Sequence, residues 1–122
     1  MGRSILDETQ IHPAVRAVIA GKHADIVGEV QAAIAANPVV VVGMALNPFP
    51  RKARKALAKA GIGHAYLGYG SYLSQWHRRT ALKMWSGWPT FPMVFVHGVL
   101  VGGSSDLQRL IDSGELARML AA

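Results

Sequence analysis

An unbroken run of valines, Val39-Val40-Val41-Val42, constrains this chain more than any other feature. Successive side chains of a β-strand point to opposite faces of its sheet, so this run is apolar on both. Such a strand needs cover on both faces, the position of a central strand between two layers of helices. A sheet with one solvated face would instead show alternation of apolar and polar residues. Pro38 opens the run and Gly43 closes it.

The flanking sequence supplies the cover. Residues 12–19 predict a short helix with Pro13 in its first turn, stopped by Gly21. From Lys22 to Ala36, Ile26, Val30, Ala33 and Ile34 share one helical face, and Asn37-Pro38 ends the segment. Beyond Asn47-Pro48-Phe49-Pro50, Ala53, Ala56, Leu57 and Ala60 again follow helical spacing up to Gly61. Residues 64–68 predict a second short strand. Residues 72–85 predict a helix carrying Leu73, Trp76, Leu82 and Trp85. Pro92 to Val96, then His97-Gly98, then Val99 to Val101 form a hairpin pattern. Leu107, Leu110, Ile111, Leu116 and Met119-Leu120 mark one or two closing helices. A βαβ unit followed by a hairpin and a helix predicts a small mixed sheet with helices on both faces. Residues 1–21 form an arm outside a single domain spanning 22–122.

Composition narrows the chemistry. The chain has 122 residues, enough for one core, and no cysteine. That excludes disulfides, thiolate metal sites and a thiol nucleophile together. Lysine and arginine number 13 against 7 acidic residues. The excess suits anionic partners or serves ordinary solubility. The helix near residues 51–59 carries much of it, as Arg51, Lys52, Arg54, Lys55 and Lys59. The histidines His12, His23, His64, His77 and His97 show no metal-ligand spacing, so no metal is expected. No apolar run approaches the roughly 20 residues that span a bilayer. Asp7 and Glu8 argue against a targeting leader, and a cytoplasmic protein is expected. No Ser/His/Asp set, carboxylate pair or phosphate loop is evident, and Gly61-Ile62-Gly63 lacks the context of a dinucleotide fingerprint.

Trp88-Pro89-Thr90-Phe91-Pro92 followed by Gly102-Gly103-Ser104-Ser105 resembles the Trp-Pro-Thr-hydrophobic-Pro and Gly-Gly-Cys-Asp signatures of monothiol glutaredoxins. Asn47 to Leu57 is similar, without a gap, to the glutaredoxin active-site turn and its helix, and the likeness runs from about Asp25 to Leu120. The resemblance implies an α/β thioredoxin-like (glutaredoxin) fold with a four-stranded mixed sheet. It also implies a cis bond at Pro92. The Phe91 backbone would then pair with an extended peptide such as glutathione, and Thr90 would line the same groove. Close backbone approach is implied at Gly102 and Gly103. Ser104 and Ser105 would open a helix whose N–H groups favour a carboxylate. Arg79, nine residues before Trp88, matches the family arginine that holds the other glutathione carboxylate. Read from the residues alone, Ser104 is an ordinary helix cap more readily than a ligand contact, and Arg79, in the cluster His77-Arg78-Arg79, is a solvated charge as readily as a clamp.

The departures lie where the family does its chemistry. Its two cysteine positions are Asn47 and Pro50, so the catalytic set is empty. Asparagine is among the best helix caps and Pro48 falls at the favoured first helical position, so a helix start remains without a nucleophile. Met44 stands where the family has a lysine, and Ser105 where it has an aspartate, with Asp106 one position late. Losing a charged contact costs about 1.5–3 kcal/mol, which weakens glutathione binding. An iron–sulfur cluster, which the family bridges through the active cysteine, is not expected.

The favoured expectation is a redox-inactive module that binds glutathione or an extended peptide in this groove. The alternative is an adaptor whose basic helix, extended by Arg78, Arg79 and Lys83, docks on an acidic protein while the arm 1–21 dimerises or clasps the partner. The family suggests a redox or iron–sulfur homeostasis setting for such an adaptor. Nucleic-acid binding, with Trp76 or Trp85 stacking, is the weaker third expectation, because core packing accounts for both tryptophans more simply.

Overall fold

The computed structural model describes residues 2–121. The chain runs α1 (Pro13–Gly21), α2 (Ala24–Ala36), β1 (Val39–Gly43), α3 (Pro48–Lys59) and β2 (Ala65–Gly68). It continues with α4 (Trp76–Ser86), β3 (Met93–Val96), β4 (Val99–Gly102), α5 (Ser104–Asp112) and α6 (Glu115–Ala121). The sheet order is β2-β1-β3-β4. β1 and β2 are parallel, whereas β1–β3 and β3–β4 are antiparallel. The valine run is therefore an inner strand, fully buried along its length.

Strand periodicity divides the core in two. Val40 and Val42 of β1 join Met93 and Phe95 of β3 beneath Ile26 and Val30 of α2 and Leu82 of α4. Val39 and Val41 join Val94 and Val96 on the other face, beneath Ala53 and Leu57 of α3, Leu107 of α5 and Leu116 of α6. Each fully buried valine or leucine contributes about 1.5–3 kcal/mol. β1 ends at a glycine for a steric reason. A Cβ at Gly43 would stand 2.7 Å from Pro50 Cβ in the first turn of α3.

Two boundaries differ from expectation. The amphipathic segment begins at Ala24, because His23 adopts a left-handed conformation (φ 53°) that separates α1 from α2. α4 begins at Trp76, not near residue 72. The Ser74 hydroxyl accepts the Ser71 N–H at 3.1 Å and the Ser71 hydroxyl accepts the Leu73 N–H at 3.2 Å. Such serine–backbone bonds compete with helix formation. Leu73 is accordingly 96% exposed, not part of a buried face. Before α1 lies a 3₁₀ turn, Glu8–Gln10. α1 itself contains no buried residue. Ahead of α1, Arg3 donates to the Ser86 carbonyl at 3.3 Å. No helix among the described residues is long and apolar enough to cross a membrane.

Candidate functional site

Two helix mouths and one turn converge on a cleft of about 260 Å³. The first mouth is that of α3. Asn47 caps it, its side-chain oxygen accepting the Phe49 N–H at 3.0 Å, with Pro48 at the first helical position. This is the sequence expectation realised by short-range bonding. Pro50, at the second family cysteine position, is buried against β1. Phe49 is half-exposed and forms one wall of the cleft.

The turn is Thr90-Phe91-Pro92, with a cis peptide bond between Phe91 and Pro92. Phe91 is buried, and its carbonyl oxygen accepts from Asn47 Nδ2 at 3.4 Å. A bond that long is weak, so the carbonyl is only loosely held. Trp88 lies beside it, and its indole Nε1 is buried without a hydrogen-bond partner among the described residues.

The second mouth is that of α5, where Gly103 occupies the cap position and Ser104 is the first helical residue. The expectation of Ser104 as cap is thus shifted by one. The reason is Asp106, whose carboxylate reaches back and accepts the Gly103 N–H at 3.0 Å. Asp106 also pairs with Arg109. Gly102 is needed twice over: its φ is +109°, and a Cβ would meet Asp106 Oδ2 at 2.5 Å. Gly103 is different. A Cβ there would sit at ordinary contact distance, 3.7 Å from Trp88 Nε1, on the floor of the cleft. The N–H groups of Ser104 and Ser105 open the helix and have no intrahelical acceptor.

The structure brings Thr90, Phe91, Pro92, Gly103, Ser104 and Ser105 together around the cleft. Gly102 supports it from β4. Arg79 stands elsewhere. It is only 4% exposed, and its guanidinium donates to the Tyr69 carbonyl at 2.9 Å and to the Ser74 carbonyl. It is neither a solvated charge nor a wall of the groove, because the 69–74 loop has closed around it. Met44, at the family lysine position, is buried in the core. Phe49, Trp88 and Asp106 are cleft residues that site-by-site reasoning passed over. Trp88 was within the motif, and Asp106 was visible as an acid three residues beyond a glycine, the spacing of a reciprocal cap.

The basic residues do not form one surface. α3 packs on the sheet face covered by α5 and α6, whereas α4 covers the opposite face with α2. Arg78, Arg79 and Lys83 therefore cannot extend the basic helix. Arg78 pairs instead with Asp25 at 3.1 Å and Glu29 at 3.6 Å. Glu29 also accepts from the Tyr69 hydroxyl at 2.9 Å. Burial first, and then this bond to Glu29, push the Tyr69 hydroxyl well above its ordinary value. Lys83 Nζ lies 5.7 Å from the Phe91 ring, near the cleft. On α3, Lys52 turns to the Phe49 ring at 5.6 Å, and Lys59 lies in the last turn. Arg51, Arg54 and Lys55 line a separate hollow. Trp76 is 60% exposed, contrary to core packing, while Trp85 packs against Phe95 with ring centroids 5.9 Å apart. No group of three or more His, Cys, Asp or Glu side chains gathers in metal-binding proximity among the described residues.

No family model matches the chain. It is 47% identical over 94 residues to a glutaredoxin-like protein of Dictyostelium discoideum, covering 77% of this chain and 76% of that protein. It is 32% identical over 90 residues to glutaredoxin 4 of Pasteurella multocida, covering 72% and 83%. Among solved structures, oxidised glutaredoxin 2 of Chlamydomonas reinhardtii superimposes with a TM-score of 0.65 at 27% identity, covering 81% of this chain and 94% of that one. Buckwheat glutaredoxin in complex with glutathione gives 0.69 at 21% identity, over 82% and 91%, a likeness of fold alone. The sheet order, the turn at Phe91-Pro92, the glycines ahead of α5 and these relatives agree: the chain belongs to the glutaredoxin family, as a member without cysteine.

Proposed function

We propose that this protein is a redox-inactive glutaredoxin-fold module that binds a glutathione-type extended peptide in the cleft between the α3 and α5 mouths. With no thiol there is no thiolate to attack a disulfide, so exchange chemistry has no starting point. The observation that carries the binding reading is the cleft itself, which joins the Phe91 backbone to the open N–H groups of α5. A ligand N–H would replace the long Asn47 bond to the Phe91 carbonyl at little cost. A ligand carboxylate would sit on the Ser104 and Ser105 N–H groups, where the helix dipole favours negative charge. Asp106 is the one acid lining the cleft, and its carboxylate is engaged by the Gly103 N–H and by Arg109. Phe49, Trp88 and Phe91 supply apolar contact. Buckwheat glutaredoxin, a neighbour in fold that was solved in complex with glutathione, supports the ligand class.

Calorimetric titration of the full chain with reduced glutathione tests this. The expected dissociation constant is on the order of 1 mM, about 4 kcal/mol of binding free energy. Gly103→Val should abolish the heat, because its Cβ fits and the larger side chain stands on the floor of the cleft, and should lower Tm only slightly, since valine caps a helix less well than glycine. No saturable heat up to about 10 mM, or binding that survives Gly103→Val, overturns the reading. Disulfide reductase activity should be absent throughout.

A further inference from the structure

We infer that the hollow on the other flank of α3 is a second binding site, for a small molecule bearing a phosphate or pyrophosphate group. The hollow has a volume of about 480 Å³. Ligand pockets of roughly 300–1,000 Å³ hold compounds of metabolite size. Arg51, Arg54 and Lys55 occupy positions i, i+3 and i+4 of α3, so one helical stripe presents all of them to the same space. No acidic residue lines the hollow, and none of these cations joins an ion pair among the described residues.

That concentration of charge opposes the stability of the helix. Like charges at these spacings repel, and Arg51 lies near the positive end of the helix dipole. No acidic side chain lines the hollow to offset the repulsion, whereas a bound anion would. The mouth of α3 cannot do this with its backbone, since Pro48 and Pro50 have no N–H to donate. Side chains must hold the anion.

Arg54 is already ordered for that role. Its guanidinium lies 4.2 Å from the Tyr66 ring, and its Nε donates to His64 Nε2 at 3.3 Å. The bond makes His64 Nε2 an acceptor and leaves the ring proton on Nδ1, which is buried without a partner among the described residues. An unmade buried hydrogen bond costs stability, here in a ring whose other nitrogen fixes Arg54. Ordering a guanidinium beforehand lowers the entropy cost of binding, and its planar fork matches phosphate oxygens. Met44, Leu46, Pro50 and Ala58 add an apolar wall for the rest of the ligand. A flat acidic protein face would engage the convex cations Lys52 and Lys59 equally. The concave placement of Arg51, Arg54 and Lys55 favours a small ligand.

The test is an amide NMR titration of the full chain with inorganic pyrophosphate, with a hexaglutamate peptide in a parallel arm. Pyrophosphate should give saturable shifts at residues 51–55 and 64–66, and the double substitution Arg54→Gln/Lys55→Gln should weaken it at least ~tenfold. Lys59→Gln should change it little. The single variant Lys55→Gln, at an exposed position, should weaken it detectably and guards against misfolding of the double variant. Binding must persist in Gly103→Val, so failure of the cleft reading leaves this one standing. The proposal is overturned by no saturable shift up to about 20 mM, or by unchanged affinity in both the double and the Lys55→Gln variants. It is also overturned if hexaglutamate binds more tightly, with Lys52→Gln and Lys59→Gln as costly as Arg54→Gln; that result would assign the surface to an acidic protein.

Discussion

The mouths of α3 and α5 flank the same cleft, yet they offer it opposite things. At α3 every reactive feature is gone: Asn47 stands at the nucleophile position, and Pro48 and Pro50 remove backbone donors. What remains is a well-capped helix. At α5 the backbone donors of Ser104 and Ser105 are intact, Gly103 keeps the floor open, and Gly102 and Asp106 hold the turn. The contrast separates two properties that family members combine. Nucleophilic chemistry depends on one side chain and vanishes with it. A surface made of backbone N–H groups and apolar walls depends on the fold, and is present as long as the fold is.

The largest expected effect tests whether the comparison needs a third party. Arg79→Ala leaves the Tyr69 and Ser74 carbonyls without their buried donor. Losing hydrogen bonds made by a buried charged donor costs about 1.5–3 kcal/mol, seen as a fall in Tm or in the urea midpoint. Loss of glutathione binding with unchanged Tm would instead place Arg79 in the site. Next, Ser105→Asp adds a carboxylate at the α5 mouth. It should tighten glutathione by about tenfold, ~1.4 kcal/mol, in the same calorimetric titration. No change there would mean Asp106 already supplies that contact. At the α3 mouth, Asn47→Ala removes a helix cap and should cost about 1 kcal/mol of stability, while glutathione affinity stays within twofold or so. A larger loss of affinity would return that mouth to the binding site.

The smallest effect concerns the scaffold beneath both mouths. Tyr69 ionises in the folded chain well above the unfolded value of 10.0. Above that pH the unfolded chain releases a proton that the folded chain retains, so stability falls as pH rises. Tyr69→Phe removes this ionisation. The stability of the variant, measured by urea unfolding at pH 9 to 11, should therefore decline less steeply than that of the parent. An identical slope would mean that Tyr69 is solvated in solution.

Much of the scaffold was legible because it rests on local patterns. The valine run, the period of the helices, the Asn47-Pro48 start and the glycines before α5 each fix backbone geometry within a few residues. The exceptions were local too: a left-handed backbone at His23, and the Ser71–Ser74 turn, where side chain–backbone bonds outcompeted helical periodicity. The site was less legible. Thr90 to Pro92 and Gly103 to Ser105 converge as the family pattern implied, but Arg79 does not join them. Its three-residue spacing from the buried Leu82 was a signal that it lies on the inward stripe of α4.

The sequence by itself determined the sheet core, the helix starts and the absence of a thiol nucleophile. These follow from side-chain period, capping chemistry and composition. Only the tertiary structure decided the direction of each cation. It buried Arg79 under a loop, paired Arg78 with Asp25 and Glu29, and gathered Arg51, Arg54 and Lys55 in a hollow. The physical reason is that a long charged side chain carries no period of its own. Its environment is set by the rotation of its helix and by what the neighbouring elements bring against it.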